Sequence, residues 1–364
     1  MVLVGLAGAL DRDRWNPLVA TSEEPAFRSL LADVDVESIP VPMGHLNGSG
    51  AAMPIHLTAA VRAVSRLVRR RHIDLIHTNT VRAHVVGTLA ATLTRTPLVW
   101  TLHDDTFPRH LARLLARRPR QVICVSQWVS DRYAASGLRT KSTVVHNGVD
   151  LEAPPRSAAR LRAELGVPPT APFVVSVGRL VAGKAPHRFV QAAQRVLQTR
   201  PEAYFALVGG PDGPEPGRPA STPPELLTQA VEACGLGGRL IMTGHRTDVD
   251  RFYAAADVVV YTAVRPEGLP TVLLEAMRYS RPTVASAIGG AVEIVEDGVT
   301  GWCVRPDDVD DLAGGVLRLL GDPDRARAMG VNGRRRLARG FDRREQVART
   351  MGIYDTAVRR TTRG

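Results

Sequence analysis

The sequence predicts an α/β protein with two doubly wound parallel-sheet domains, and three observations lead to that prediction. The chain has 364 residues, which fits two domains of ordinary size. Its hydrophobic content is 44%, which is enough for two buried cores. Short apolar runs such as residues 257–261, typical of buried parallel strands, alternate with helical segments along the chain.

The composition restricts the partners and the compartment. The formal net charge is +11, with basic runs at residues 69–72, 117–120, 334–336 and 359–360. An anionic membrane surface, nucleic acid and general solubility are the three explanations of this charge. Aromatic content is only 5% and no aromatic residue interrupts the arginine runs, so we predict no nucleic-acid partner. Peripheral membrane contact and solubility both stay open.

The cysteine pattern predicts a reduced, cytoplasmic protein, with the inner face of the membrane as the place for any peripheral contact. Cys124, Cys234 and Cys303 have neither metal-ligand spacing nor the even number of a disulfide framework. No apolar run approaches the roughly 18–20 residues that cross a bilayer. Residues 1–10 lack a basic flank and a cleavage site, so we do not interpret them as a signal peptide.

The chain starts with a predicted helix over residues 2–10, followed by a strand over residues 16–21. A domain of this class normally begins with a strand and a glycine-rich turn, and both are missing here. We expect either a truncated or wrongly assigned start, or a genuine departure that impairs activity. Residues 44–54 are a predicted glycine-rich loop. Residues 59–71 are a predicted amphipathic helix, whose basic face lies in solvent or on a membrane.

Two predicted strands of the first half, residues 74–79 and 97–104, end in a histidine and polar residues. The carboxyl ends of parallel strands meet at one edge of the sheet, where ligands bind, so we expect His77 and His103 near that edge. His103 is the stronger candidate. A third strand, residues 121–126, precedes a helix that Ser126 caps.

The second half contains two groups of charged residues beside predicted strands. Arg179 and Lys184 lie on the turn after the strand at residues 173–177, where they can converge on one phosphate cluster. Glu267 lies in the loop after residues 257–261, and Glu275 on the second turn of the following helix. The N-terminus of that helix favours an anion such as a diphosphate. Asp248 and Asp250 are predicted to cap a helix rather than to hold a metal.

The segment from Glu267 to Ala276 resembles the Glu-x7-Glu signature of family 4 glycosyltransferases, which have two facing Rossmann-like domains, the GT-B fold. The segment from Gly178 to Lys184 resembles the family pattern V-G-R-L-x3-K-G, although Ala185 replaces the usual glycine. Further similar segments are the interdomain segment 147–150 and residues 289–301. These matches follow one another in the family's order along most of the chain.

The resemblance implies a domain organisation and a set of site residues. It implies an acceptor-side domain over residues 1–150, a linker over 151–172, a donor-binding domain over 173–340 and a final helix, 341–364, that crosses back to the first domain. It implies that Glu267 and the amides of Gly268 and Leu269 bind the sugar, and that Glu275 binds the ribose. It implies further that Arg179 and Lys184 bind the diphosphate, and that Gly244 and Arg246 lie near the base. His103 is implied to face the reacting centre. Gly289 and Gly290 are expected to let the backbone approach a ligand closely.

The predicted function is a metal-independent, retaining transfer of sugar from a nucleotide sugar to a sugar, lipid-linked or other small acceptor, without a cofactor. A role in polysaccharide or glycolipid synthesis of the cell envelope is expected. One alternative is a GT-B nucleotide-sugar epimerase, against which the Glu-x7-Glu match argues. The other is a truncated chain that binds nucleotide without turnover, and the upstream DNA would distinguish it from the enzyme.

Overall fold

In the computed structural model of the protein, the structure describes residues 2–22, 25–43, 53–107, 109–153, 157–210 and 222–359. The chain divides into two units: unit 1 is Met1–Val149 with Asp342–Gly364, and unit 2 is Asp150–Phe341. All pairings between the described strands are parallel, and helices separate the strands along the chain. The predicted α/β class with two Rossmann-like domains is confirmed.

Unit 2 is built on one six-stranded sheet with the strand order β12-β11-β10-β7-β8-β9. The chain therefore adds β8 and β9 on one side of β7, and then adds β10, β11 and β12 on the other side of β7. The strands are β7 Phe173–Val177, β8 Tyr204–Val208, β9 Leu240–Gly244, β10 Val258–Tyr261, β11 Thr283–Ser286 and β12 Gly301–Val304. The helices are α7 Ala158–Glu164, α8 Pro186–Thr199, α9 Pro224–Ala233, α10 Val249–Ala255, α11 Thr271–Arg278, α12 Ala291–Ile294, α13 Val309–Gly321 and α14 Pro323–Gly340.

Helices cover both faces of this sheet, which explains why its central strands are apolar throughout. Side chains of β7 alternate between two cores: Val174 belongs to one, and Phe173 and Val175 belong to the other. All four residues of β10 are buried. A strand buried on both faces needs no polar positions, so the sequence shows a continuous apolar run.

The segment predicted as a linker contributes a helix to the core of unit 2. Leu161 of α7 is buried, and the Arg162 guanidinium donates to the carboxylate of Asp257 at 2.8 Å and to the carbonyl oxygen of Ala255 at 2.9 Å. A carboxylate and a carbonyl oxygen as partners offset part of the cost of burying the charge of this arginine. The helix therefore anchors the start of unit 2.

Unit 1 contains a two-stranded sheet, β1-β2, and a four-stranded sheet, β3-β4-β5-β6. Ala20 of β1 and Ile76 of β3 contact the same apolar cluster. The strands are β1 Leu18–Thr21, β2 Glu37–Pro40, β3 Ile76–Thr78, β4 Leu98–Leu102, β5 Gln121–Cys124 and β6 Ser142–Val144. The helices are α1 Val2–Gly8, α2 Pro25–Ala32, α3 Met53–Arg70, α4 Val81–Thr94, α5 Arg109–Leu115, α6 Gln127–Tyr133 and, at the chain end, α15 Arg343–Arg359.

Helix α15 packs within unit 1, where Val347 and Tyr354 join the core that contains Leu6 of α1 and Val99 of β4. The helix expected at the chain start is present as α1. No helix among the described ranges combines the length and apolar character that crossing a membrane requires.

Several boundaries differ from the sequence-based expectations. Helix α3 already starts at Met53, and residues 44–52 of the predicted loop lie outside the described residues. Helix α4 was not predicted, because apolar residues occur on all its sides and hide the helical period. Its N-cap is Thr80, which accepts from the amide of Ala83 at 3.2 Å. Residues 211–221 also lie outside the described residues, and α9 starts after them at Pro224.

Candidate functional site

The candidate site of unit 2 lies at the carboxyl ends of β7 and β10. These neighbouring strands mark the point where the chain reverses its direction of travel through the sheet. In open α/β sheets the connections leave in opposite directions at this point and form a crevice for ligands. Arg179 and Lys184 follow β7, whereas Glu267 and Glu275 follow β10. The topology therefore brings together two segments that are far apart in sequence.

Lys184 and Glu267 form an ion pair at this point. The Lys184 ammonium lies 2.5 Å from one carboxylate oxygen of Glu267 and donates to the other at 2.7 Å. It also lies 5.1 Å from the centroid of the Tyr261 ring, a cation–π contact. Only 16% of the Lys184 side chain is exposed, against 31% for Glu267. A pair shielded to this degree is held in one geometry.

The loops that carry this ion pair are also joined through their backbones. The Thr262 hydroxyl donates to the carbonyl oxygen of Lys184 at 2.7 Å, and the Val264 amide donates to that of Gly183 at 3.0 Å. Ala185, the residue after Lys184, has a φ of 46° and is fully buried. Glycine adopts this left-handed backbone without strain, which explains physically why the family prefers glycine here.

Gly289 and Gly290 approach the backbone of the Glu267 loop, whereas we expected them to approach a ligand. A Cβ added at Gly289 would lie 2.4 Å from the carbonyl oxygen of Glu267, and one at Gly290 would lie 1.9 Å from that of Gly268. The Gly290 amide donates to the Glu267 carbonyl at 2.8 Å. The two glycines therefore fix the position of Glu267.

Among the residues that the structure describes, the two amides after Glu267 are free to donate hydrogen bonds to ligand oxygens. Within the described ranges, the N–H groups of Gly268 and Leu269 donate to no backbone carbonyl. Helix α11 follows with Pro270 at its N-cap, and no side chain caps it. Amide groups that the protein leaves without acceptors at a helix N-terminus favour an anion or a hydroxyl oxygen.

Glu275 is held by a different partner from Glu267. The Tyr253 hydroxyl, on α10, donates to its carboxylate at 2.8 Å. Tyr253 is fully buried, which fixes the position of the carboxylate. Burial raises the pKa of the Glu275 carboxyl, and the hydrogen bond from Tyr253 lowers that pKa in part. The sequence analysis missed Tyr253, because an aromatic residue on an amphipathic helix carries no signal beyond that of a core residue.

Gly244 and Arg246 lie at the end of β9, where the backbone of Gly244 is joined to the neighbouring strand end. The Gly209 amide donates to the Gly244 carbonyl at 3.0 Å. The Arg246 guanidinium is occupied: it donates to Asp248 at 2.8 and 2.9 Å and to Glu164 at 3.1 Å. The structure thus leaves the backbone of this turn, rather than the Arg246 side chain, as the group suited to a base.

Asp248 and Asp250 do not cap α10, contrary to our expectation. Asp248 occupies the N-cap position, yet its side chain makes no capping hydrogen bond and instead binds Arg246 and Arg251. Asp250 pairs with Arg278. An arginine fork satisfies a carboxylate better than one backbone amide does, so the ion pairs take precedence. In the described part of the chain, no three His, Cys, Asp or Glu side chains are placed to hold a metal ion.

His103 of unit 1 lines a cavity of about 470 Å³ at the carboxyl end of β4. Its Nε2 lies 3.3 Å from the side-chain oxygen of Asn79, and burial lowers its pKa. A neutral imidazole in such a position donates or accepts a hydrogen bond without bringing a charge. The cavity is lined by polar and apolar groups together, among them Asn79, Thr80, Arg82, Trp100, His103 and Asp104.

His77 does not reach this cavity, contrary to its predicted place at the strand end. It lies inside β3, with Nδ1 2.6 Å from the Tyr354 hydroxyl and Nε2 2.7 Å from the Thr101 hydroxyl. Burial lowers its pKa to about 3, so the ring is neutral. His84, which the sequence analysis did not single out, stacks on Trp100 with the ring centroids 3.8 Å apart. His77 therefore connects β3 to β4 and to α15, and His84 connects α4 to β4.

Comparison with known proteins adds family evidence to this geometry. Residues 157–336 match the family described as glycosyl transferases group 1, and residues 1–153 match glycosyltransferase family 4. The D-inositol 3-phosphate glycosyltransferase of Kribbella flavida is 31% identical over 368 residues, spanning 93% of this chain and 84% of the relative. The UDP-Gal:alpha-D-GlcNAc-diphosphoundecaprenol alpha-1,3-galactosyltransferase of Escherichia coli is 26% identical, spanning 79% of this chain and 77% of that protein.

A solved structure is similar over nearly the whole chain. The Anabaena protein HepE in complex with UDP is 28% identical, with a TM-score of 0.83, and the match covers 98% of this chain and 95% of HepE. HepE has also been solved with UDP-glucose, where the match has a TM-score of 0.81 and 27% identity.

Proposed function

Because this chain belongs to glycosyltransferase family 4, and so is a glycosyltransferase of the GT-B fold class, we propose that it transfers a hexosyl group from a UDP-sugar with retention of configuration. The observation that carries the proposal is the Lys184–Glu267 ion pair at the carboxyl ends of β7 and β10, where the strand order in the sheet of unit 2 changes direction. A cation and a carboxylate placed side by side there suit a substrate with an anionic diphosphate and a neutral sugar.

The chemistry needs a cation because negative charge develops on the nucleotide as it leaves. The bond between the anomeric carbon and the phosphate oxygen breaks, and a bond to the acceptor oxygen forms. The acceptor's proton ends on the departing diphosphate. In the proposed reaction Lys184, Arg179 and the N-terminus of α11 stabilise that charge. With these groups the reaction proceeds without a metal ion, and no cofactor takes part.

The two glutamates orient the donor. Glu267 accepts hydrogen bonds from sugar hydroxyls, while the amides of Gly268 and Leu269 donate to the sugar. Glu275 accepts from the ribose hydroxyls, and the backbone at Gly244 lies beside the base. UDP is the proposed nucleotide, since HepE was solved with UDP and with UDP-glucose. We assign His103 the role of a neutral hydrogen-bonding group for a sugar hydroxyl.

The cavity beside His103 is the proposed acceptor site, and we propose a lipid-linked acceptor of the cell envelope. The name of the Escherichia coli relative specifies a diphosphoundecaprenol acceptor, which supports this class. Such an acceptor places the enzyme in the cytoplasm, in peripheral contact with the inner face of the membrane.

A transfer assay tests the proposal. The wild-type chain is incubated with UDP-glucose and UDP-galactose, with and without a membrane extract that contains lipid-linked acceptors. Nucleotide release and the anomeric configuration of the product are followed by NMR. We expect release that depends on the acceptor, and an α-linked product. Release without any acceptor would indicate an epimerase, and binding without release would indicate a nucleotide-binding protein, so either result would refute the transferase.

A further inference from the structure

The helices α3, α4 and α5 of unit 1 contain arginines but no acidic residue. Residues 53–120 contain twelve arginines against three aspartates, and none of the three aspartates lies on these helices. On α3, Arg62, Arg66, Arg69 and Arg70 follow one another at the spacing of a single helical stripe, and all four are exposed. No carboxylate within the described ranges pairs with these four arginines.

Exposed leucines lie directly beside this stripe. Helix α3 packs on α4 through Val61, Val64, Val86 and Ala90, which turns Leu89 and Leu93 of α4 outward. Leu93 is 59% exposed, and the Arg69 guanidinium donates to its carbonyl oxygen at 3.2 Å. The arginine stripe and the leucines are therefore neighbours on one surface.

Helix α5 extends the same surface. Arg118, just after α5, donates to the carbonyl oxygens of Ala91 at 2.5 Å and Thr96 at 2.9 Å, which ties α5 to the end of α4. Leu114 of α5 is 62% exposed. We call this surface the arginine–leucine patch; it consists of Arg62, Arg66, Arg69, Arg70, Leu89, Leu93, Arg113, Leu114 and Arg117.

We infer that the arginine–leucine patch is a docking surface for an anionic lipid bilayer. Arginines attract the negative surface of such a membrane, and the neighbouring leucines enter the boundary between headgroups and acyl chains. Helices α3, α4 and α5 contain no Phe, Trp or Tyr, so the patch offers none of these rings for nucleic-acid bases to stack on. This inference gives the membrane contact of the proposed function a definite surface.

The basic surface of unit 2 differs and supplies a control. Helix α14 exposes Arg327, Arg335 and Arg339, but Arg327 pairs with Asp324 at 2.6 Å, and the preceding helix α13 has two aspartates, Asp310 and Asp311, in its first turn. Charge reversal of three arginines on α14 changes the net charge of the protein as much as reversal of three on α3. The two triple variants therefore separate a local docking surface from a general effect of charge.

The experiment is cosedimentation of the full chain with vesicles of phosphatidylcholine alone and of an equal mixture with phosphatidylglycerol. We expect wild type to bind the mixed vesicles and not phosphatidylcholine alone, and salt to weaken the binding. The variant Arg62→Glu/Arg66→Glu/Arg70→Glu should bind roughly a hundredfold more weakly, because each arginine near an anionic surface contributes about a factor of five. The control Arg327→Glu/Arg335→Glu/Arg339→Glu should bind within a few-fold of wild type.

The variant Leu89→Ser/Leu93→Ser should also bind the mixed vesicles more weakly, with unchanged salt dependence. Equal loss in both arginine variants, or none in the α3 variant, would overturn the inference. The inference would also be overturned if the wild type bound duplex DNA but not vesicles, and the α3 variant lost that DNA binding. Calorimetric binding of UDP, measured on every variant, checks that the chain is folded. It also keeps failure of docking distinct from failure of the proposed transferase, since the nucleotide site lies in unit 2.

Discussion

Glu267 and Glu275 belong to one loop-and-helix segment, yet the structure holds them by opposite means. Glu267 is partly exposed and contacts the ammonium of Lys184, whereas Glu275 is held by the neutral hydroxyl of buried Tyr253. In the proposed reaction the cation beside Glu267 stabilises the charge that develops during transfer. The hydroxyl beside Glu275 fixes a carboxylate without neutralising it. The proposed roles follow from this difference: Glu267 orients the reacting end of the donor, and Glu275 binds the nucleoside.

Loss of the cation should have the largest effect. In Lys184→Ala we expect kcat to fall about a thousandfold, since one group that stabilises developing charge contributes a factor of roughly 10²–10³. UDP affinity should fall much less. Steady-state kinetics with the donor varied separates the two constants.

A matched pair of variants sharpens this test, because Lys184 and Lys141 are the only lysines in the sequence. Lys141 donates to the carbonyl oxygens of Arg117 and Pro119, far along the chain from the donor site. Lys184→Arg should impair turnover, because a guanidinium does not reproduce a compact ammonium charge. Lys141→Arg should leave kcat unchanged. If Lys184→Arg and Lys141→Arg are equally active, a specific role of the ammonium is excluded.

Removal of the Glu275 carboxylate should affect binding rather than turnover. Glu275→Ala should weaken UDP binding about 10- to 100-fold, since hydrogen bonds to charged groups contribute roughly 1.5–3 kcal/mol each. Isothermal titration calorimetry with UDP measures this loss, and uridine should show a loss of similar size because the ribose is common to both. A similar affinity of uridine for wild type and variant would place Glu275 outside the ribose site.

Tyr253→Phe should have a smaller effect with a distinct pH dependence. The hydroxyl lowers the pKa of Glu275 against the effect of burial, so its removal raises that pKa further. UDP binding requires the ionised carboxylate and is lost as pH falls through the pKa of Glu275. In the variant this loss should therefore begin at a higher pH, with affinity near neutral pH reduced by only a few-fold. If wild type and variant lose UDP affinity over the same pH range, Tyr253 does not shift the pKa of Glu275 and contributes only packing.

The smallest expected effect concerns the backbone that carries Lys184. Ala185→Gly should raise the free energy of unfolding by about 0.5–1 kcal/mol, because the left-handed backbone strains alanine and the extra chain entropy of glycine offsets only part of the gain. Ala192→Gly, in the interior of α8, should lower it by about 1 kcal/mol. Urea unfolding of the two variants measures both changes. A lower free energy of unfolding in Ala185→Gly would contradict the claim that the left-handed backbone strains Ala185.

The sequence predicted the donor-site residues more fully than their surroundings. Lys184 and Glu267 were expected in one crevice because parallel strands end at one edge of a sheet, and their ion pair joins the two loops. Tyr253 and the contact of Gly289 with the Glu267 loop depend on tertiary packing, which no local pattern records. His77 was misplaced because the end of a three-residue strand is uncertain by more than the one residue that decides its position.

Propensity rules failed where ion pairs competed with them. Asp248 stands at the N-cap position, but Arg246 and Arg251, two and three residues from it in the sequence, bind its carboxylate. Helix α4 was not predicted because apolar residues occur on all its sides, and a continuous apolar run is equally typical of a buried strand.

Calorimetric titration of UDP, GDP and ADP into the wild-type chain and into Glu275→Ala tests the donor site most directly. We expect saturable binding of UDP alone to wild type, and strongly weakened binding to the variant. Failure of all three nucleotides to bind a folded wild-type chain, or unchanged UDP affinity in Glu275→Ala, would contradict this expectation.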